Sequence, residues 1–234
     1  MIEAYVTNLG KYNEGELCGE YLKLPAEKED VKALFERIGI DGVVYEEFFI
    51  TDYRTDIEGL CRYMGEYESI DELNYLASLL ADLGSWELEK FESAIDFGEY
   101  TSCVEHLINL AQNLDCYDLI SDVNTNEELG LYYVEQLEML QIPEHLENYI
   151  DYEAYGRDMS VNDGGVFTNH GYFINNQSSF TEHYKGMHIP DDYRIFAYPD
   201  PPAKMPIRQQ LEMFANMITA PATEKLTPAL DERA

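Results

Sequence analysis

Ser69-Ile70-Asp71-Glu72-Leu73-Asn74-Tyr75-Leu76-Ala77-Ser78-Leu79-Leu80-Ala81-Asp82-Leu83-Gly84-Ser85-Trp86-Glu87-Leu88-Glu89-Lys90-Phe91 reads as two helices in succession and makes the middle of the chain helical. Ser69 and Glu72 have capping-box spacing, so each side chain can satisfy the other's orphan backbone N–H. Leu73, Leu76, Ala77, Leu80 and Leu83 follow on one side, and Gly84 offers a stop. Ser85 can cap the next helix, which turns Trp86, Phe91 and Ile95 inward and ends near Gly98. Residues 101–113 repeat the pattern through Val104, Leu107, Ile108 and Ala111.

Outward from this middle the pattern changes. Ile2–Asn8, Glu16–Leu24 and Val43–Thr51 are rich in Tyr, Val, Leu and Phe and read as strands. A helix starts at Pro25, carries Val31, Leu34, Phe35 and Ile38 on one stripe, and stops at Gly39. On the other side, residues 117–123 resemble a strand, and Thr125-x-x-Glu128 opens a helix through Leu140. Pro143 starts a further short helix, and residues 162–165 form a turn between strand-like segments ending with Val166–Ile174. The expected fold is α+β, with three small modules. They span residues 1–61 (antiparallel sheet with a helix), 62–103 (helical) and 104–184 (mixed). Residues 185–234 add a Pro-rich linker and an amphipathic helix with Ile207, Leu211, Phe214 and Ile218 on its stripe.

The charge is as distinctive as the pattern. The chain of 234 residues carries a formal net charge of -31, and residues 1–155 hold 36 acids against 8 bases. Between Lys90 and Arg157 there is neither lysine nor arginine, yet there are 15 carboxylates. Folded proteins usually mix signs, because unrelieved like charge strains the compact state. With 45% hydrophobic residues the chain can bury cores, so acidic disorder is excluded. Adaptation to high salt would act on the whole length, and residues 156–234 hold 10 acids against 7 bases.

The acidity argues against binding DNA or anionic membranes directly. The first residues show no signal peptide, and no segment suits a membrane span. Four scattered cysteines without C-x-x-C fit reduced thiols and a cytoplasmic location. Asp122-x-Asn124-x-Asn126 begins like a calcium loop but has Glu127 where glycine is required, so no metal is expected. There is no phosphate loop, no nucleophile elbow and no evident Cys–His pair. Neither an enzyme nor a cofactor is expected.

What remains is a negative surface. Carboxylates three or four residues apart on a helix lie about 5–6 Å from one another. Duplex DNA shows one charge per roughly 1.7 Å, so several acidic faces side by side approach its density. Glu92, Asp96 and Glu99 supply one face, and Glu105 is expected on the same negative surface. Asp115, Asp118 and Asp122, then Glu127, Glu128, Glu135 and Glu138, supply the adjoining ones. An acidic module or chaperone for another basic DNA-binding protein shares this charge and is the alternative reading.

The run from Leu79 to Phe91 resembles the ArdA antirestriction family, as do Ala4–Gly15 and Asp151–Asp158. The resemblance covers roughly residues 1–185. It implies an elongated, homodimeric mimic of bent duplex DNA, its modules in a row, encoded on mobile elements such as plasmids or conjugative transposons. Such proteins occupy the basic DNA-binding groove of the methyltransferase core in type I restriction–modification enzymes. Leu79–Phe91 then corresponds to the family's antirestriction motif. Leu80, Leu83, Trp86 and Phe91 are expected to pack, while Asp82, Glu87 and Glu89 face the target. The dimer contact is expected in the third module, at Tyr132 and Tyr133 and along the nearly uncharged Val166–Ile174.

Overall fold

The computed structural model describes residues 1–201, of which Met1–Pro199 form one compact unit. The architecture is α+β, with two small antiparallel sheets joined by helices. The expected helix at Ile207–Ile218 lies outside the described residues.

The first sheet has β1 (Ile2–Asn8) at its centre. A short helix, α1 (Leu9–Asn13), follows, and β2 (Gly19–Leu24) returns antiparallel with Tyr5 opposite Tyr21. Ile2, Ala4 and Val6 alternate onto the buried face, as a period of two requires. Against that face lies α2 (Lys28–Ile38), burying Val31, Leu34, Phe35 and Ile38. It starts three residues after Pro25, because the Glu27 N–H is held by the Asp30 carboxylate, 3.0 Å away. Gly39 closes it with a left-handed φ of 78°.

The third strand, β3 (Phe48–Thr55), begins later than Val43. One oxygen of Asp41 accepts the backbone N–H groups of Val43, Val44 and Tyr45, which folds that apolar stretch into a loop. Sequence reading saw β-rich composition there and missed this local competition for the backbone.

Three helices form the middle: α3 (Ile70–Asp82), α4 (Ser85–Phe97) and α5 (Val104–Ala111). Ser69 caps α3 as expected, while Gly84 serves the start of α4 rather than the end of α3. The Gly84 N–H donates to the Glu87 carboxylate at 2.8 Å. Trp86 is 47% exposed rather than inward. At 100° per residue it lies 140° from Phe91 and 180° from Ile95, so the stripe that buries those two leaves it outside.

The second sheet contains β4 (Tyr117–Ile120), β5 (Val166–Thr168) and β6 (Gly171–Asn175), with β6 central. The single strand expected over Val166–Ile174 is therefore a hairpin, turning at Asn169-His170. Between β4 and β5 come α6 (Asn126–Leu131), a wider helical turn over Tyr132–Gln136, and α7 (Tyr152–Asp163). The helix from Thr125 thus leaves α-geometry well before Leu140. The segment before Gly164 is helical, not strand-like, as the spacing of Tyr152, Tyr155 and Met159 permits.

Helices α6 and α7 meet backbone to backbone. A Cβ at Gly156 would come within 1.8 Å of the Asn126 carbonyl, and one at Gly130 within 2.0 Å of the Tyr152 carbonyl. Glycine is required at both positions by this close approach.

One buried apolar cluster runs from Ile2 through the middle helices to Phe173 and Ile195. A second, smaller one joins Val123, Leu129, Tyr133 and Tyr172. Residues after β6 also contribute to the first cluster, through Tyr184 and Ile195.

Candidate interaction surface

The candidate site is a surface, and α4 shows how it arises. Its buried stripe carries Phe91, Ala94 and Ile95. The opposite side therefore presents Glu89 and Asp96, seven residues apart on one face, and both are exposed. Glu99 was expected on the same helical face, but α4 ends at Phe97 and Gly98 reverses the chain with φ 86°. Glu99 is exposed beyond that turn, where the Asn175 amide donates to it at 2.9 Å and Tyr117 Oη at 3.4 Å. Burial first, then the Glu99 charge, hold the Tyr117 phenol well above its ordinary range, so it stays a donor.

The other carboxylates are placed in the same way. In β4 the alternation buries Tyr117 and Leu119 and turns Asp118 outward, where Asn176 Nδ2 reaches it at 3.3 Å. Glu128 is exposed, and its carboxylate accepts the N–H groups of Asn124 and Thr125 at 2.7 and 3.1 Å. Glu87 is likewise exposed while holding Gly84.

Asp82, Glu89, Asp96, Asp115, Asp122, Glu127, Glu135 and Glu138 are exposed. None of their side chains makes a hydrogen bond or an ion pair among the described residues. Two expected members differ. Glu92 is held at 2.7 Å by His170 Nε2 and at 3.0 Å by the Glu58 N–H, so it pins the β5–β6 hairpin to α4. Glu105 is half-buried, against Gly186.

Neutral donors dominate this arrangement. They orient a carboxylate and satisfy its lone pairs without cancelling its charge. A permanent cation, Lys90, lies half-buried beside Asp115 and Asp118. Its burial lowers the ammonium's pKa and outweighs the opposite pull of those carboxylates. Sequence reasoning missed Asn175, Asn176 and His170, which lie 58 to 78 residues from the carboxylates they hold. No local spacing signals such pairs.

Of the motif residues expected to pack, Leu80 and Phe91 are buried at 5% and 0% exposure, and Leu83 is partly buried against the same core. Trp86 is on the outside with the acids. At the expected dimer contact, Tyr133 is only 7% exposed and its hydroxyl donates to Asp163, so it belongs to the chain's own core. Tyr172 and Phe173 are fully buried because β6 is the central strand, which removes the centre of Val166–Ile174 from the surface. Tyr132 is half-buried, while Leu137, Met139, Leu140, Leu146, Tyr149 and Val161 are exposed around it in sequence.

No group of His, Cys, Asp and Glu among the described residues could hold a metal ion, and no described helix is long and apolar enough to cross a membrane. No curated protein matches the chain. The family model described as Antirestriction protein (ArdA) matches residues 4–174, including every carboxylate of this surface. The chain belongs to the ArdA family of antirestriction proteins.

Proposed function

We propose that this antirestriction protein works as a mimic of duplex DNA. It would occupy the DNA-binding groove of a type I restriction–modification enzyme and so protect incoming mobile DNA in the cytoplasm. The observation that carries the reading is the set of exposed carboxylates from Asp82 to Glu138 that neutral groups orient or that stand unpaired among the described residues. Each retains the charge that a basic groove would meet in a phosphate. Inhibition by occupancy needs no chemical step, so the protein acts as an inhibitor and not as an enzyme.

Two chains would bring a net charge of -62, twice -31, to the methyltransferase core. We place the contact between them in the third module, around Tyr132 and the exposed Leu137, Met139 and Leu140. Apolar area there can associate with less repulsion than the carboxylate faces.

The test is competition. The protein is titrated into a type I methyltransferase core bound to labelled duplex DNA, at two salt concentrations. Stoichiometric displacement that weakens with salt and leaves the DNA intact is the expected result. A folded dimer that displaces no DNA would rule the mimic out.

A further inference from the structure

Residues 177–198 leave the second sheet, cross α5 and α3, and finish on the first sheet, and they lie beyond the family-matched residues 4–174. Their path is held mainly by backbone recognition. Asn113 accepts the Thr181 N–H at 2.8 Å and donates to the Thr181 carbonyl at 2.9 Å. One helical turn earlier, Asn109 does the same for Tyr184, at 2.9 and 2.7 Å. On α3, Asn74 donates to the Tyr193 carbonyl at 3.1 Å, and a single Asp71 oxygen accepts the N–H groups of Ile195 and Phe196 at 2.7 Å each.

Asn74, Asn109 and Asn113 are buried, at 2 to 3% exposure. Asn74 also accepts the Ala26 N–H at 2.9 Å, and Asn109 and Asn113 also donate to the Glu105 and Asn109 carbonyls at 3.0 and 2.8 Å, so the helices hold these amides in place and the crossing segment completes their hydrogen bonding.

Apolar anchors complete the site. Tyr75 stacks on Tyr193 with ring centres 4.3 Å apart and meets Tyr184 edge-on at 5.7 Å. Ile195 is 3% exposed, and Phe196 lies against Phe35 and Phe48. At the other end of the segment Phe180 lies flat on Tyr100, with ring centres 3.7 Å apart.

We propose that the α3–α5 face is a preformed site for an extended peptide, read by its backbone, whose ligand is residues 177–198 of the same chain. Asn109 and Asn113 each act as paired donor and acceptor, as a neighbouring strand would. The peptide opens as a unit of its own while the helices beneath stay folded. Its seat also takes Asp71, Glu72 and Glu105 out of the open carboxylate surface, since Tyr184 Oη donates to Glu72 at 2.6 Å.

Hydrogen exchange on the full chain tests this. In the wild type, amides of residues 181, 184, 195 and 196 should be protected, though less than those of α3 and α5. In Asn109→Ala with Asn113→Ala, exchange in residues 177–198 should quicken at least about tenfold while β1 and α3 keep their protection. Should that pair fail to fold, Ile195→Ser, on the peptide side, should give the same pattern. Amides of residues 177–198 that exchange in the wild type like an unstructured peptide overturn the proposal. So does release of this segment and the helices at one common rate.

Discussion

The first sheet and the acidic middle both carry many carboxylates but satisfy them differently. Around the first sheet several meet cations: Glu20 takes Arg37 through two hydrogen bonds of 2.8 and 3.0 Å, Glu3 faces Lys23, and Asp52 faces Arg54. From Asp82 to Glu138, Glu92 with its His170 aside, they meet backbone N–H groups, asparagine amides and a tyrosine, or nothing among the described residues. Both solutions satisfy oxygen lone pairs, but only the second leaves the field uncancelled. A neutral donor fixes where a charge sits without changing how much charge there is. Carboxylates whose charge is cancelled within the chain are thereby separated from carboxylates whose charge stays open.

The largest effect should come from the backbone contact that holds α6 to α7. Gly156→Ala forces a Cβ against the Asn126 carbonyl, and urea unfolding should show a loss of about 3 kcal/mol or a separate early transition. A wild-type profile would mean that α6 and α7 are not packed through that glycine.

The next effect sets the two groups of carboxylates against each other. Reversing Glu127, Glu135 and Glu138 to lysine, with the capping Glu128 untouched, should weaken inhibition about 100-fold, because several exposed attractions become repulsions together. Reversing Glu16, Glu29 and Glu36, equally exposed around the first sheet, should change it less than about threefold. Equal losses from both sets would erase the distinction. Glu128 neutralisation is a poor probe, since it also removes a helix cap worth about 1 kcal/mol.

Salt should act in opposite directions on the two properties. Between about 0.02 and 0.5 M, thermal stability should rise as self-repulsion is screened, while inhibition weakens. Stability that falls with salt would show that attractive pairs outweigh the uncompensated charge.

The smallest effect concerns the paired region. Arg37 holds the Glu20 carboxyl below its ordinary pKa, mainly through their hydrogen bond. That pairing contributes stability above the unfolded-state pKa of Glu20 and loses it as pH falls through the lower folded value. Arg37→Gln should therefore flatten the acid limb of the stability profile slightly, both groups being half-exposed. An unchanged limb would mean the pair contributes nothing in water.

Much of the fold was legible where local rules operate without competition. The Ser69 cap, the stripe Val31-Leu34-Phe35-Ile38 and the left-handed stops at Gly39 and Gly98 all follow from spacing and backbone chemistry, while the reciprocal half of the expected box is missing because Glu72 takes the Tyr184 hydroxyl instead. Reading failed where a side chain competed for the backbone, as Asp41 does at Val43–Tyr45. It failed too where period was judged loosely, as for Trp86, and where a strand's neighbours decide its exposure, as for Val166–Ile174.

By itself the sequence determined the net charge, the gap without lysine or arginine between Lys90 and Arg157, the helical middle and the family resemblance, because composition and short periodicities are local properties. Only the tertiary structure decided which carboxylates stay open. Glu92 is drawn to His170, Glu72 to Tyr184 and Asp71 to Ile195 by partners 78, 112 and 124 residues away. Whether a charge faces water or a neighbour depends on what the fold brings within about 3 Å of it, and such long-range encounters leave no periodic trace in the chain.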